Sequence, residues 1–297
     1  LDIDTLPFEQ LLRFWQHPVR AFFQQRLRVN FRSEESEIPE DEPFVLEGLS
    51  RYQLNQQLLN TLIEQQDASA MYRRFRAAGE LPYGAFGELA WEAQRQEMQN
   101  LAERVIASRQ PAQSMEIDLQ CNGINLTGWL QQVQPDGLLR WRPSLLSVSQ
   151  GVQLWLEHLV YCASGGLGES RLFVRKEGEW RFPPLAAEQA QTYLNELVEG
   201  YLQGMSKPLL LLPESGGAWL KACYDAEKDV MLMDDETQQK ARSKFLQAYE
   251  GNMVVSGEGA DIWYQRLWRT LEPAYYEEII AQAQRYLLPI FRFHQSE

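Results

Sequence analysis

The sequence predicts an α/β domain with a small central sheet surrounded by helices, and two observations carry that prediction. The first is a stretch of period two, Met115-Glu-Ile-Asp-Leu-Gln-Cys-Asn-Gly-Ile-Asn-Leu126, that runs across an Asn122-Gly123 pair. Alternation of that kind gives a strand one apolar face, and Asn-Gly supplies the left-handed turn that matches strand twist. The second is helical periodicity on both sides of it. Helices, then a meander, then a helix, a hairpin and more helices fit a sheet covered by helical layers.

Taken in order, residues 5–29 read as an amphipathic helical region, with Phe8, Leu11, Leu12 and Trp15 at helical spacing and Pro18 forcing a fresh start. Ser33-Glu-Glu-Ser-Glu-Ile-Pro-Glu-Asp-Glu-Pro43 is acidic and bounded by proline, the composition of an exposed loop. Helices are expected at about 48–65, 67–78 and 84–108. The hairpin across Asn122-Gly123 is followed by a third strand, Gly128 to Val133. It leads through Pro135-Asp-Gly137 into a fourth, Leu138 to Arg142. A helix is expected over Val152–Cys162, then a hairpin from Arg171 to Phe182 with its tip at Lys176-Glu-Gly178. The rest reads as helices at about 185–204, 236–250, 259–270 and 274–289, with the leucine run from Pro208 to Pro213 as a buried strand or helix edge. Residues 1–297 are taken as one domain, with a helical subdomain over 1–80 and a core over 81–297.

Composition narrows the function. The 297 residues carry a net charge of −13, which argues against a simple nucleic-acid-binding module, because neutralising phosphates needs local positive charge. Arg13, Arg20, Arg26, Arg28 and Arg32, and later Arg73, Arg74 and Arg76, are local exceptions that more often form a solvated helix face than a DNA contact. Cys121, Cys162 and Cys223 are odd in number and far apart, so neither a disulfide framework nor a metal site is expected, which fits a cytoplasmic protein. No apolar run approaches membrane-spanning length, and no signal peptide is visible. The chain opens on Leu1, as a fragment of a longer polypeptide would.

Strand, turn and strand followed by a helix is the layout of PD-(D/E)XK nucleases of the RecB-like branch. Their chemistry needs two carboxylates and a histidine to hold Mg²⁺, and a lysine to help activate water. This chain resembles that frame with its contents changed. Gly87-Glu-Leu-Ala-Trp91 resembles the Gly-x-x-x-His motif with Trp91 at the histidine position, and Gly128-Trp-Leu-Gln131 resembles the next with Gln131 at the aspartate position. Arg140-Trp141-Arg142 falls where Asp-Tyr-Lys stands, and Gln153-Leu154 begins the following helix. The resemblance implies a degenerate PD-(D/E)XK fold with no catalytic residues, no metal and no cofactor. A relocated site would have to come from Glu116, Asp118, Asp136 or Glu157.

A more specific resemblance lies in Phe14-Trp-Gln-His-Pro-Val-Arg-Ala-Phe-Phe23, Leu46-Glu-Gly-Leu-Ser-Arg-Tyr-Gln53, Leu212-Pro-Glu-Ser-Gly-Gly-Ala-Trp219 and Leu287-Leu-Pro-Ile-Phe-Arg-Phe293. These segments are similar to the C-terminal domain of the enterobacterial RecC family, the gamma subunits of exodeoxyribonuclease V, RecBCD. The likeness runs the whole length. RecB-like nucleases often carry Cys-Pro in the entry helix; His17-Pro18 stands here, without the cysteine an iron–sulfur version needs. The resemblance implies a non-catalytic, strand-separating domain for double-strand-break repair, with RecB and RecD as partners and DNA inside the assembled complex. It also implies a rigid pin, for which the tips Asn122-Gly123 and Lys176-Glu-Gly178 are the two candidates. Trp129, Trp141 and Trp180 are candidates for stacking on bases, although tryptophan in a meander is more often core. The aromatic runs Asp261-Ile-Trp-Tyr-Gln-Arg-Leu-Trp268 and Pro273-Ala-Tyr-Tyr276 suit either an interface or internal packing, and internal packing is favoured.

Overall fold

The structure, a computed structural model, describes residues 3–26 and 48–296. The acidic segment Ser33–Pro43, Arg28 and Arg32 lie outside the described residues. The chain enters as strand β1 (Thr5–Pro7), then α1 (Phe8–Gln16), α2 (Pro18–Ala21) and a π-helical turn at Phe22–Arg26. The helical region expected from residue 5 therefore starts at residue 8. Pro7 is held in an extended conformation, φ −65° and ψ 135°, and Thr5, Leu6 and Pro7 alternate exposed, buried, exposed beside an open side of the sheet. His17 separates the two helices as a cap: its Nδ1 accepts the Arg20 amide N–H at 3.1 Å.

Next come α3 (Gly48–Ile63), α4 (Ser69–Ala77) and α5 (Ala85–Ser108), close to their expected bounds. Strands β2 (Gln113–Cys121), β3 (Ile124–Gln134) and β4 (Gly137–Trp141) form the meander. It has three strands where the sequence suggested four. Gly128 does not break β3; with φ +144° it continues the strand and lets Phe8 lie against the backbone, where a Cβ would come within 3.3 Å of the Phe8 Cβ.

Helix α6 (Val148–Ala163) begins four residues earlier than expected, because Ser147 and Gln150 form a reciprocal capping box. It crosses over to β5 (Glu169–Phe173), which pairs with β6 (Glu179–Phe182) and leads into α7 (Ala187–Ser206). Leu209 to Leu212 are buried as an irregular connection rather than a strand.

Helix α8 (Pro213–Cys223) is absent from the sequence-based expectation, masked by Gly216-Gly217. Those glycines are there for close approach: a Cβ on Gly217 would meet Val148 Cγ2 at 2.6 Å, and one on Gly216 would meet the Ala283 Cβ at 3.0 Å. A small pair, β7 (Tyr224–Asp225) and β8 (Val230–Met231), precedes α9 (Asp235–Glu250). The helix expected at 259–270 is a 3-10 turn, Glu258–Ala260, followed by α10 (Ile262–Leu267). Asp261 divides them, its carboxylate accepting the amides of Trp263 and Tyr264. Then α11 (Pro273–Gln282) continues through a π-helical turn into α12 (Leu288–Phe293).

The main sheet is mixed. β2 pairs antiparallel with β3, β3 with β4, and β5 with β6, while β4 and β5 run parallel across the α6 crossover and β1 runs parallel to β3. Alternation along β4 and β5 divides the apolar side chains between two cores. Leu138 and Leu172 join α1, α6, α7, α8 and the C-terminal helices on one face. Leu139 and Phe173, with Trp141 beside them, close the α3–α5 layer on the other.

Candidate functional site: a forked sheet closed by an arginine

β2 occupies one side of β3 along most of its length, so β1 and β4 share the other side. β1 pairs with Asn125–Thr127, and β4 pairs only with Val133 and Gln134. Between them the sheet forks. At the fork β3 bulges: Gln131 and Gln132 together oppose Ser114, and Gln132 has φ +54°. The Ser114 hydroxyl donates to Gln131 Oε1 at 2.6 Å, which fixes the exposed Gln131 side chain on the β2 side.

Arg140, projecting from β4, fills the gap. Its Nη2 donates to the Gln131 carbonyl at 2.7 Å and its Nη1 to the carbonyls of Gln132 at 3.2 Å and Leu139 at 3.1 Å. Its Nε and Nη2 also donate to Glu157 Oε2 on α6, at 3.1 and 2.6 Å. Arg and Glu side chains are only 18% and 16% exposed, so this is a sheltered, charge-assisted pair. One turn earlier on α6, Gln153 Oε1 accepts from Arg142 Nη2 at 3.3 Å.

Of the suspected site, the structure thus brings Arg140 against the Gln131 backbone and sets Arg140 and Arg142 against successive turns of α6. It does not bring Trp91 to them. Trp91 is buried in the α3–α5 core against Tyr72 and Phe75, on the face of the sheet opposite to Arg140. An amide turned to a neighbouring strand and a guanidinium lodged among the oxygens do not fit a divalent metal at this fork. Among the described residues, no three His, Cys, Asp or Glu side chains gather as a metal-holding group. Asp136 accepts from Gln110 Nε2 at 2.6 Å in its turn, Glu116 and Asp118 lie exposed on β2, and Glu157 is engaged by Arg140.

The two hairpin tips lie elsewhere. At the β2–β3 tip, Asn122 Nδ2 donates to the Asn195 carbonyl of α7 at 3.0 Å. The β5–β6 tip exposes Lys176 and Glu177, both at positive φ, next to Gly178. Residues that sequence reasoning passed over hold this second tip from α5. Arg104 donates from Nη1 to the Val174 carbonyl at 3.0 Å and from Nη2 to the Gly178 carbonyl at 3.2 Å, with its guanidinium over the Phe173 ring. Arg175 Nε donates to Glu97 Oε1 at 2.8 Å. The stem is pinned by His158 of α6, whose Nε2 donates to the Pro183 carbonyl at 2.7 Å while Nδ1 accepts from the Ser170 hydroxyl at 2.6 Å. Burial lowers the His158 pKa to about 4, against the opposing pull of the Pro183 carbonyl and Glu169. Of the suspected stacking aromatics, Trp180 is core, Trp141 is half-buried, and Trp129 is 58% exposed on β3. Trp263, Tyr264 and Trp268 are buried within the chain, as the internal-packing reading expected.

Fold and site together define a mixed α/β domain whose sheet forks around a guanidinium. The family model described as the RecC C-terminal domain matches residues 3–224, and the chain belongs to that family. The RecBCD enzyme subunit RecC of Escherichia coli (strain K12) is 75% identical over 293 residues, 99% of this chain and 26% of that protein. Its namesake in Buchnera aphidicola subsp. Acyrthosiphon pisum is 31% identical over 289 residues, 97% of this chain and 27% of that protein. The chain therefore spans about a quarter of the length of the curated relatives it matches. Among the described residues, no helix is long and apolar enough to cross a membrane.

Proposed function

We propose that this chain is a non-catalytic structural and DNA-strand-separating domain of a cytoplasmic bacterial helicase–nuclease complex that repairs double-strand breaks by recombination. The relatives are named as subunits of the RecBCD enzyme, and RecB and RecD are the partners this reading gives the chain. A degenerate PD-(D/E)XK fold is supported by the order α5, β2, β3, β4, α6, β5, a helix, three strands, a helix and a strand. In this reading residues 1–297 form one domain, and the division at residue 80 is not kept, because β1 pairs with β3 and α1 packs in the main core.

The observation that carries the non-catalytic reading is the Arg140–Glu157 pair. On the nuclease resemblance, its guanidinium stands where that chemistry needs carboxylates around a cation. The candidate metal and lysine positions Gln131, Arg140 and Arg142 are then scaffold residues, and no cofactor is required.

For strand separation, a pin has to keep its shape while the motors of other subunits draw the duplex against it. Both tips are supported: Asn122-Gly123 by α7, and Lys176 to Gly178 by α5. The Lys176 tip is favoured, because an exposed cation on a clamped turn suits the phosphate backbone.

Two experiments test the reading. The assembled complex, its RecB-like nuclease disabled by mutation, is incubated with end-labelled DNA and Mg²⁺ or Mn²⁺ against an EDTA control. No cleavage traceable to this domain is expected, and metal-dependent cleavage abolished by Asp136→Asn or Glu116→Gln would overturn it. In the second, residues 176–178 are shortened in the complex. Loss of unwinding with assembly retained is expected. Unwinding that survives the shortening of both tips would leave a pure docking module.

A further inference from the structure

Four oxygens converge on Arg140: Glu157 Oε2 and the carbonyl oxygens of Gln131, Gln132 and Leu139, at 2.6 to 3.2 Å from its nitrogens. One carboxylate with several backbone carbonyls is the donor set of a hard cation, and it forms only where something positive offsets the facing dipoles. The chain supplies that charge itself. We infer that the Arg140 guanidinium is a built-in cation, doing in this fork what a bound divalent ion does in an oxygen-lined site.

Three observations argue that the charge, and not merely a set of hydrogen bonds, matters here. The ladder between β3 and β4 stops at Val133 and Leu138, so the carbonyls of Gln131 and Gln132 face the fork and find their donor in Arg140. Gln132 is held at φ +54°, a conformation a non-glycine residue keeps only when its surroundings fix it. Glu157 is sheltered on α6, where a carboxylate without a counter-charge is costly. One side chain thus joins the bulge of β3, the strand β4 and the helix α6. The fork is therefore independent of metal supply and closed to divalent ions. This rests on the contacts themselves and stands whether or not the fold descends from a nuclease.

The test uses the full-length polypeptide and hydrogen–deuterium exchange followed by mass spectrometry. The peptides read cover residues 128–142 and 150–160, in EDTA and then with millimolar Mn²⁺. In the parent, Mn²⁺ is expected to leave exchange at the fork unchanged. Arg140→Ala is expected to speed exchange there by about tenfold or more in EDTA, as loss of bonds to a charged group implies. Mn²⁺, or free guanidinium ion, should then slow it back toward the parent rate. Arg140→Ala with Glu157→Ala should lose that recovery, and Arg140→Lys, which keeps the charge, should loosen less than Arg140→Ala and ignore Mn²⁺. Three results would overturn the inference. Arg140→Ala exchanging like the parent is one, and loosening that no cation reverses is another. Where Arg140→Ala does not fold, an Arg140→Lys chain that fails equally is the third, because positive charge is then not what the fork requires.

Discussion

The β2–β3 hairpin turns over Asn122 and Gly123, with φ of 51° and 80°, and pairs continuously from Cys121 and Ile124 back to Met115 and Leu130. The β5–β6 hairpin is shorter, pairs over four residues, and turns through Lys176 and Glu177 at φ of 55° and 60°. In the first, an Asn-Gly turn of the right hand and a long ladder set the register. Helix α7 adds only peripheral bonds, from Asn122 Nδ2 to the Asn195 carbonyl and from Gln191 Nε2 to the Gln120 carbonyl. In the second, the turn is kept in place by distant groups, Arg104 and Glu97 on α5 and His158 on α6. Their edges differ as well. The C-terminal segment covers β6, with the Gln295 amide donating to the Arg181 carbonyl at 2.9 Å and His294 Nδ1 accepting the Arg181 amide at 3.2 Å. A hairpin whose register comes from its own turn and ladder and one whose tip is clamped by arginine and histidine from distant helices should respond differently to acid and to single substitutions.

The largest difference is expected from acid. His158 is buried neutral, with a pKa of about 4 against 6.5 in the unfolded chain. As pH falls through 6.5 the unfolded chain takes up a proton that the native chain refuses. Stability is therefore lost between pH 6.5 and about 4 and levels off below. A shift of this size corresponds to about 3 kcal/mol at about 1.4 kcal/mol per pH unit. Urea denaturation at several pH values should show a steeper loss in the parent than in His158→Gln, which cannot titrate. Parallel curves for the two chains would mean that His158 does not bear the load assigned to it.

Arg104→Ala should come next. It removes two charge-assisted bonds to the carbonyls of Val174 and Gly178 and a guanidinium stacked 4.6 Å from the Phe173 ring centroid. A loss of about 2 kcal/mol is expected. Exchange measured peptide by peptide should loosen residues 173–179 and leave 115–126 unchanged. If both hairpins loosened together, the contrast between them would fail.

How much of this was legible in the sequence follows the same division. Asn122-Gly123 announced its hairpin because the turn and the alternation lie within a dozen residues. The second tip was located from Lys176-Glu-Gly178, but nothing near it in sequence names Arg104 or Glu97, about seventy residues earlier. The fork was half legible. Motif order singled out Trp91, Gln131, Arg140 and Arg142; the structure sets Arg140 against the Gln131 carbonyl and Arg142 against Gln153 of the same helix α6, whereas Trp91 belongs to the other face of the sheet. The bulge at Gln131–Gln132 has no local signal, since glutamine carries no preference for positive φ, and the group that meets its carbonyls, Arg140, comes from the next strand. Glycine misled in two opposite ways. Gly128 looked like the start of a new strand and continues an old one, and Gly216-Gly217 hid a helix whose tight packing requires them.

Gly123→Ala tests the hairpin whose register its own turn and ladder set. A Cβ there meets nothing within 4 Å, so the cost is that of holding alanine at φ +80°, about 1 kcal/mol. Register should survive, because the ladder and the buried Ile117, Cys121, Ile124 and Leu126 still specify it. A shifted register in cross-strand distances would show that the turn, not the ladder, sets this hairpin.

The smallest effect should come from Glu97→Gln. Arg175 and Glu97 are 13% and 24% exposed, sheltered enough to matter but open to water on one side. Screening and side-chain entropy keep such pairs to about 0.5–1 kcal/mol. The amide keeps one acceptor for the Arg175 guanidinium, and the Arg175 backbone N–H still donates to the Ser144 carbonyl at 3.0 Å. The change should therefore lower the urea midpoint slightly and make the β5–β6 tip less sensitive to added salt, because a neutral partner leaves less charge to screen. An effect as large as that of Arg104→Ala would move the main anchor of the tip from the two backbone carbonyls to the ion pair, and the second hairpin would then depend on ionic strength as much as on pH.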